Sequence, residues 1–166
     1  MSIDKTSIND GIGVRVVLYV SGCDIQCEGC HNPETHNLNA GKPFDIPAFR
    51  ELIDALSKPY VRGLTLSGGH PLHPCNIEIV EGICAAVKDL FPEKDIWLYT
   101  GYTWEDIYKK RIDYILQYID VLVDGPFVLN LRDTNIPFRG SMNQRIIDVK
   151  ESLRKNKVVE LKIPED

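Results

Sequence analysis

Residues 14–33 read VRVVLYVSGCDIQCEGCHNP, and this stretch joins a buried-strand pattern to a cluster of cysteines. The first seven residues are mostly apolar, rich in β-branched side chains and free of helix breakers, which predicts a buried strand over residues 14–20. The loop that follows places Cys23, Cys27 and Cys30 within eight residues at Cys-x3-Cys-x2-Cys spacing. Three thiolates at this spacing can converge on one inorganic centre, so we predict a metal site at the end of this strand.

The cysteine loop leaves the nature of that centre open between two kinds of metal site and no metal at all. Thiolates are soft ligands that favour iron–sulfur clusters, zinc or copper(I). A structural zinc requires a closed tetrahedron, which the three cysteines complete only with His31 or His36. A four-iron cluster with three protein ligands leaves one iron open, and an open iron favours chemistry at the metal. The spacing favours the cluster.

The composition indicates a globular chain of the reducing cytoplasm. The chain has 166 residues, a net charge of −5, 43% hydrophobic residues and five cysteines. The acidic balance argues against a nucleic-acid partner, and no apolar stretch approaches the roughly 18 residues of a membrane span. Residues 1–5 lack the apolar core of a secretory segment. In a reducing compartment, clustered thiols are more often metal ligands than disulfides.

Strand and helix patterns alternate along the rest of the chain. Further strands are predicted at 63–67, 95–100, 120–124, 145–149 and 158–161. Helices are predicted at 47–57, 76–91, 103–118 and 151–155, with an irregular segment at 127–140. This order predicts a mostly parallel sheet with right-handed crossovers. A closed eight-stranded barrel takes roughly 250 residues. We therefore predict an α/β fold, an open partial barrel with helices on its outer face, as one domain over residues 1–166.

Glycine-bearing loops follow four of the predicted strands. They lie at residues 23–30, 67–70, 100–102 and 124–126. The carboxyl ends of parallel strands line the ligand crevice in such sheets. Glycines such as Gly68 and Gly69 let the main chain approach a ligand closely. We therefore expect the four loops to form one site.

The cysteine spacing, together with Gly68-Gly69 after the second predicted strand, resembles the radical S-adenosylmethionine superfamily. Within it, the chain resembles the activating proteins of anaerobic (class III) ribonucleotide reductase over residues 10–149. The segments that carry the closer resemblance are GC at 22–23, CEGCHNP at 27–33, TLSGG at 65–69, WLYTGY at 97–102, DVLVDGPF at 120–127 and FRGSMNQR at 138–145.

The resemblance implies a radical mechanism. Cys23, Cys27 and Cys30 would hold a [4Fe-4S] cluster whose open iron binds the amino and carboxylate groups of S-adenosylmethionine. An electron from the reduced cluster would cleave the sulfonium C–S bond, giving methionine and a 5′-deoxyadenosyl radical. That radical would abstract hydrogen from a backbone glycine of the large reductase subunit. A flavodoxin-like electron donor is also implied, and no catalytic side chain beyond the cluster ligands is expected.

The predicted cofactor contacts lie on the strand-end loops and in the family motifs. They are Ser67, Gly68, Gly69, His70, Thr100, Tyr102, Asp124 and Arg139. Tyr102 could stack on adenine or be a rim aromatic, and Asp124 could bind ribose hydroxyls or cap a turn. Arg139 could pair with the cofactor carboxylate, a partner's loop or a structural anion.

His70 departs from the superfamily pattern, in which an acidic residue usually follows the glycine pair. A neutral imidazole can accept only one hydrogen bond from the methionine ammonium, whereas a carboxylate also complements its charge. We therefore expect S-adenosylmethionine binding to be weakened and to recover in His70→Asp.

Three rival functions remain open at this stage. The chain could activate another glycyl-radical enzyme, such as one of the pyruvate formate-lyase type. It could be a non-catalytic binding module stabilised by zinc. Because of His70, it could also be a relative that binds a cluster without cleaving the cofactor.

Overall fold

The computed structural model describes residues 1–163 and forms an α/β fold around one six-stranded sheet. The strands are β1 (Ser2–Ser7), β2 (Arg15–Val20), β3 (Gly63–Gly68), β4 (Asp95–Tyr99), β5 (Val121–Asp124) and β6 (Arg145–Asp148). They lie in chain order across the sheet. The neighbours from β2 to β5 are parallel, whereas β1 and β6 pair antiparallel with β2 and β5. The sheet is not closed, and the curvature of a partial barrel stays a prediction.

Each α-helix follows the strand that the sequence predicted it to follow. They are α1 (Ile46–Leu56), α2 (Ile77–Leu90), α3 (Trp104–Lys109) and α4 (Val149–Lys155), with 3-10 turns at Pro33–His36, Asp113–Tyr118 and Leu129–Leu131. The main core is apolar and packs α1 and α2 against alternate strand residues such as Leu18, Leu66 and Leu98. A smaller apolar cluster around Trp97 lies apart from this core. No helix within residues 1–163 is both long and apolar enough to span a membrane.

Three predictions about elements were wrong or incomplete. The short first strand, β1, was missed because its residues are polar and mostly exposed and lack the alternation of a half-buried strand. The helix predicted at 103–118 divides into α3 and a 3-10 turn, since Arg111 adopts a left-handed φ of 57° between them. The strand predicted at 158–161 is absent from the described residues and is replaced by one isolated bridge between Ile147 and Glu160.

Helix caps connect this scaffold to the strand-end loops. Thr103 begins α3 with a capping box, accepting from Asp106 N at 3.2 Å while the Asp106 carboxylate accepts from Thr103 N. Asn76 precedes α2, but its side chain makes no cap. Its Nδ2 instead donates to the carbonyls of Ser21 at 2.9 Å and His70 at 3.1 Å. Asn76 thereby joins the base of the cysteine loop to the loop after β3.

Candidate functional site

The four strand-end loops meet around one cavity of about 510 Å³. The cysteine loop lines it together with residues 67–70, Thr100, Gly101 and Gly125. These residues follow β2, β3, β4 and β5, whose parallel arrangement brings their carboxyl ends to the same edge of the sheet. The four loops therefore lie together at this edge of the sheet, as the sequence predicted, and the binding site itself stays a prediction.

The cysteine loop turns its thiols into this cavity. Cys23, Cys27 and Cys30 are half-buried, free and line the cavity. The loop curls because Gln26 and Gly29 take left-handed φ values of 48° and 71°. A hydrogen bond from Cys30 N to Cys27 O at 3.2 Å closes the second turn.

The thiols fit a cluster better than a single ion. Among residues 1–163, no three histidine, cysteine, aspartate or glutamate side chains converge as ligands of one metal ion. A closed zinc shell needs such convergence, whereas each thiolate of an iron–sulfur cluster binds a different iron. Burial raises the pKa of the Cys27 thiol, and the neighbouring Cys23 and Cys30 raise it further. As a metal ligand, Cys27 would therefore need the charge of the metal centre to favour its thiolate form.

The glycine pair lets the loop after β3 lie against the cysteine loop. Gly68 has a φ of 102°, and a Cβ there would meet the Val20 carbonyl oxygen at 2.6 Å. A Cβ on Gly69 would meet the Gly22 carbonyl oxygen at the same distance. Both glycines also line the cavity with Ser67. Close main-chain packing therefore requires the pair whether or not a ligand contacts it.

His70 is buried, and protein groups occupy both of its ring nitrogens. Its side chain is 1% exposed, with Nδ1 at 2.8 Å from Asp24 Oδ1 and Nε2 at 2.8 Å from Thr100 Oγ1. Tyr102 packs edge-on against the ring and donates its hydroxyl to Asp24 Oδ2 at 3.0 Å. Burial lowers the pKa of His70, and the Asp24 carboxylate offsets only part of this, so the imidazole is neutral near pH 7.

Two predicted contacts lie behind the cavity wall. Neither Tyr102 nor Asp124 lines the cavity, whereas Thr100 does. Asp124 is buried, accepts from Trp104 N at 2.8 Å and forms an ion pair with Arg145. The hydrogen bonds that Arg145 donates to Asp124 raise the pKa of the Arg145 guanidinium. The carboxylate therefore holds β6 and the start of α3 in place.

Arg139 lies in the cavity wall with an unused donor. Its Nη1 donates to the Gln144 carbonyl at 2.8 Å, but its buried Nε has no partner among the described residues. The buried Nε2 of His36 is likewise without a partner there and belongs to the same wall. Buried polar groups are normally hydrogen-bonded, so two unpartnered nitrogens in one cavity indicate a polar ligand.

Several residues that line the cavity could not be identified as such from the sequence. Asn9 and Asp10 reach the cavity from the segment between β1 and β2, and Phe127 and Phe138 contribute apolar surface. The Phe127 ring also packs edge-on against His31, with centroids 5.2 Å apart. The family motifs include both phenylalanines, but nothing in their spacing indicated which side chains face the ligand.

Known proteins match this chain over most of its length. Residues 9–147 match the protein family described as the 4Fe-4S single cluster domain. The anaerobic ribonucleoside-triphosphate reductase-activating protein of Enterobacteria phage T4 is 48% identical over 137 residues, covering 82% of this chain and 85% of the phage protein. The chain belongs to the anaerobic ribonucleoside-triphosphate reductase-activating protein family.

Bacterial members of the anaerobic ribonucleoside-triphosphate reductase-activating protein family are also similar to this chain. The protein of Haemophilus influenzae is 41% identical over 85% of this chain and 92% of its own length. That of Escherichia coli is 38% identical over 82% of this chain and 90% of its own length. The 4Fe-4S domain match supports an iron–sulfur cluster over zinc. The identities to these relatives confirm the resemblance to the activating-protein family.

Proposed function

We propose that the chain is a single-domain radical S-adenosylmethionine enzyme that generates a glycyl radical on anaerobic ribonucleoside-triphosphate reductase. The observation that carries the proposal is one cavity that combines three free thiols, a glycine-bordered wall and the unpartnered Nε of Arg139. When bound, a reduced [4Fe-4S] cluster supplies the electron that cleaves S-adenosylmethionine into methionine and a 5′-deoxyadenosyl radical. The names of the relatives favour the reductase over other glycyl-radical enzymes as the partner.

The side chains of the wall would hold and orient the cofactor. Cys23, Cys27 and Cys30 would bind three irons of the cluster. Arg139 Nε would donate to the carboxylate of S-adenosylmethionine, because a guanidinium suits planar anions. Ser67 Oγ and the main chain around Gly68, which line the cavity, would accept from its ammonium group.

Other wall residues would exclude water and fix the loops. Phe127 and Phe138 would border the reacting bond with apolar surface, which would keep other hydrogen donors away from a carbon radical. Thr100, Tyr102 and Asp124 would act indirectly, because their polar atoms already bind neighbouring loops. A flavodoxin-like protein remains our proposed electron donor.

The test is to reconstitute the chain with iron and sulfide without oxygen and to reduce it with dithionite. We expect S-adenosylmethionine to be converted to 5′-deoxyadenosine, measured by chromatography. Adding the reductase large subunit should produce a glycyl-radical signal in electron paramagnetic resonance. Pyruvate formate-lyase, added in a parallel sample, should give no such signal. Iron-loaded protein that forms no 5′-deoxyadenosine would contradict the proposal.

A further inference from the structure

His70 occupies the position after the glycine pair, where the superfamily usually carries an acid, but it is bonded within the protein. We propose, on the basis of the proposed function, that His70 is a positioning residue. In this proposal it anchors the cysteine loop through Asp24 and does not bind S-adenosylmethionine. The His70 side chain spans from the cysteine loop, at Asp24, to the end of β4, at Thr100. It therefore joins the loop that carries the cluster ligands to the rigid sheet.

Hydrogen-bond directions around the ring leave no capacity for a ligand. Thr100 Oγ1 already accepts from Tyr102 N at 3.0 Å, so its hydroxyl proton is free to be donated to His70 Nε2. The Nδ1–H of the neutral ring then donates to Asp24 Oδ1. With both nitrogens used, His70 cannot also bind the methionine ammonium without breaking one of these bonds.

Asp24 completes the connection from the side of the cysteine loop. It directly follows Cys23, and its two carboxylate oxygens accept from His70 Nδ1 and from the Tyr102 hydroxyl. Its side chain does not line the cavity. Main-chain hydrogen bonds hold the start of the loop: Gly22 N donates to Thr35 O, Cys23 N donates to His36 O, and Gly22 O accepts from His70 N. Asp24 is therefore the side-chain attachment closest to the first thiol.

This arrangement reverses the expected effect of an acidic residue at position 70 on S-adenosylmethionine binding. In His70→Asp, a second carboxylate would face Asp24, with no donor between them. Like charges at this range repel and would free the cysteine loop. We therefore no longer expect His70→Asp to improve cofactor binding, because its carboxylate would first disrupt the loop that holds the cluster.

Amide hydrogen exchange of residues 22–31 in the metal-free chain tests the anchor without depending on activity. We expect Asp24→Ala and His70→Ala each to raise exchange in this loop about tenfold, the effect of losing a hydrogen bond to a charged group. The double variant should raise exchange by less than the product of the two single effects, because both remove the His70–Asp24 contact, whereas only Asp24→Ala also removes the Tyr102 bond and only His70→Ala the Thr100 bond. His73→Ala, three residues further along and outside the cavity wall, is the matched control.

A second measurement asks whether position 70 is a ligand position. The His70→Asp variant and the exchanged pair Asp24→His with His70→Asp are loaded with iron and titrated with S-adenosylmethionine by calorimetry. We expect His70→Asp to hold less iron and not to bind more tightly. The exchanged pair, which regains an imidazole–carboxylate contact, should recover part of the iron content.

Two results would overturn the proposal. One is unchanged loop exchange in both Asp24→Ala and His70→Ala. The other is tighter S-adenosylmethionine binding by His70→Asp at full iron content, which would make position 70 a ligand position. If the unaltered chain binds no iron, the proposed function fails, but the exchange measurement still decides whether the anchor exists.

Discussion

The two ends of the parallel strands carry cavities of similar size whose polar groups differ. The carboxyl-end cavity measures about 510 Å³ and the amino-end cavity about 580 Å³. At the amino end, Asp95 pairs with Arg15 and Arg62, while Asp120 pairs with Lys88 and Lys150. At the carboxyl end, within residues 1–163, the buried Nε of Arg139 and Nε2 of His36 have no partners.

Volume does not distinguish the two cavities, whereas unpartnered buried side-chain nitrogens, among residues 1–163, are found only at the carboxyl end. The amino-end charges are satisfied by one another and stabilise the strand starts. One oxygen there, Asp95 Oδ1, makes no directed hydrogen bond, but it lies 2.6 Å from Arg15 Nη1 and its charge is paired. The carboxyl end keeps thiols and nitrogen donors available. Substitutions at the two ends should therefore affect different properties.

The largest effect is expected for Cys27→Ala at the carboxyl end. Removing one of three cluster thiolates should reduce bound iron and 5′-deoxyadenosine formation to background, with loss of the broad absorbance near ~400 nm typical of cluster thiolates. Cys75→Ala, which removes an exposed thiol outside the cavity, is the control and should retain both. Full iron content in Cys27→Ala would remove Cys27 from the ligand set.

A large effect on stability is expected for Asp95→Ala at the amino end. It leaves the fully buried Arg15 guanidinium unpaired, and breaking such a pair costs about 3 kcal/mol or more of the free energy of unfolding. Urea unfolding of the metal-free chain measures this loss. Glu51→Ala breaks the exposed pair with Lys5 and should change stability far less, because water screens an exposed ion pair. Equal losses of stability in Asp95→Ala and Glu51→Ala would contradict the expected difference between a buried and an exposed ion pair.

Arg139→Gln should weaken S-adenosylmethionine binding without unfolding the protein. Loss of a charge-assisted hydrogen bond predicts a dissociation constant raised about tenfold or more, measured by calorimetry on iron-loaded protein. Arg132→Gln, on the exposed part of the same segment, should leave the constant unchanged. Unaltered binding in Arg139→Gln would mean that the unpartnered Nε serves another ligand.

The smallest effect is a pH dependence at the amino end. Burial raises the pKa of Asp120, but hydrogen bonds from Lys150, Lys88 and Ile96 N outweigh it and leave the pKa below its ordinary value. The resulting stability is fully present above about pH 4 and is lost as the pH falls through the folded-state pKa. Unfolding experiments between pH 3 and 7 should show a smaller loss of stability at low pH in Asp120→Asn than in the unaltered chain. The exposed Asp89→Asn is the control for the loss of one negative charge.

The fold was largely predictable because its strands and helices carry clear apolar patterns. The strand at Arg15–Val20 and the helix at Ile77–Leu90 lie within two residues of their predicted bounds. The strand at Ser2–Ser7 was not predictable, because this polar segment has no buried face of its own. It forms a strand only because its main chain pairs with β2. The 158–161 segment has strand-like residues, but it makes only a single bridge to β6.

The site was predictable only as a set of loops. Cysteine spacing and glycines after strands indicated where a site would lie, because parallel strands bring their carboxyl ends together. The same residues gave no indication that Tyr102 and Asp124 would turn away from the cavity. Nor did they show that Arg139 would face it with a free donor.

By itself, the sequence determined the thiol spacing, the succession of strands and helices along most of the chain and the edge of the sheet at which the loops gather, because these follow from local pattern and chain connectivity. Only the tertiary structure decided which polar atoms are already paired. Hydrogen bonds such as that between His70 and Asp24 join residues 46 positions apart, and such a pairing depends on packing geometry that no local pattern encodes.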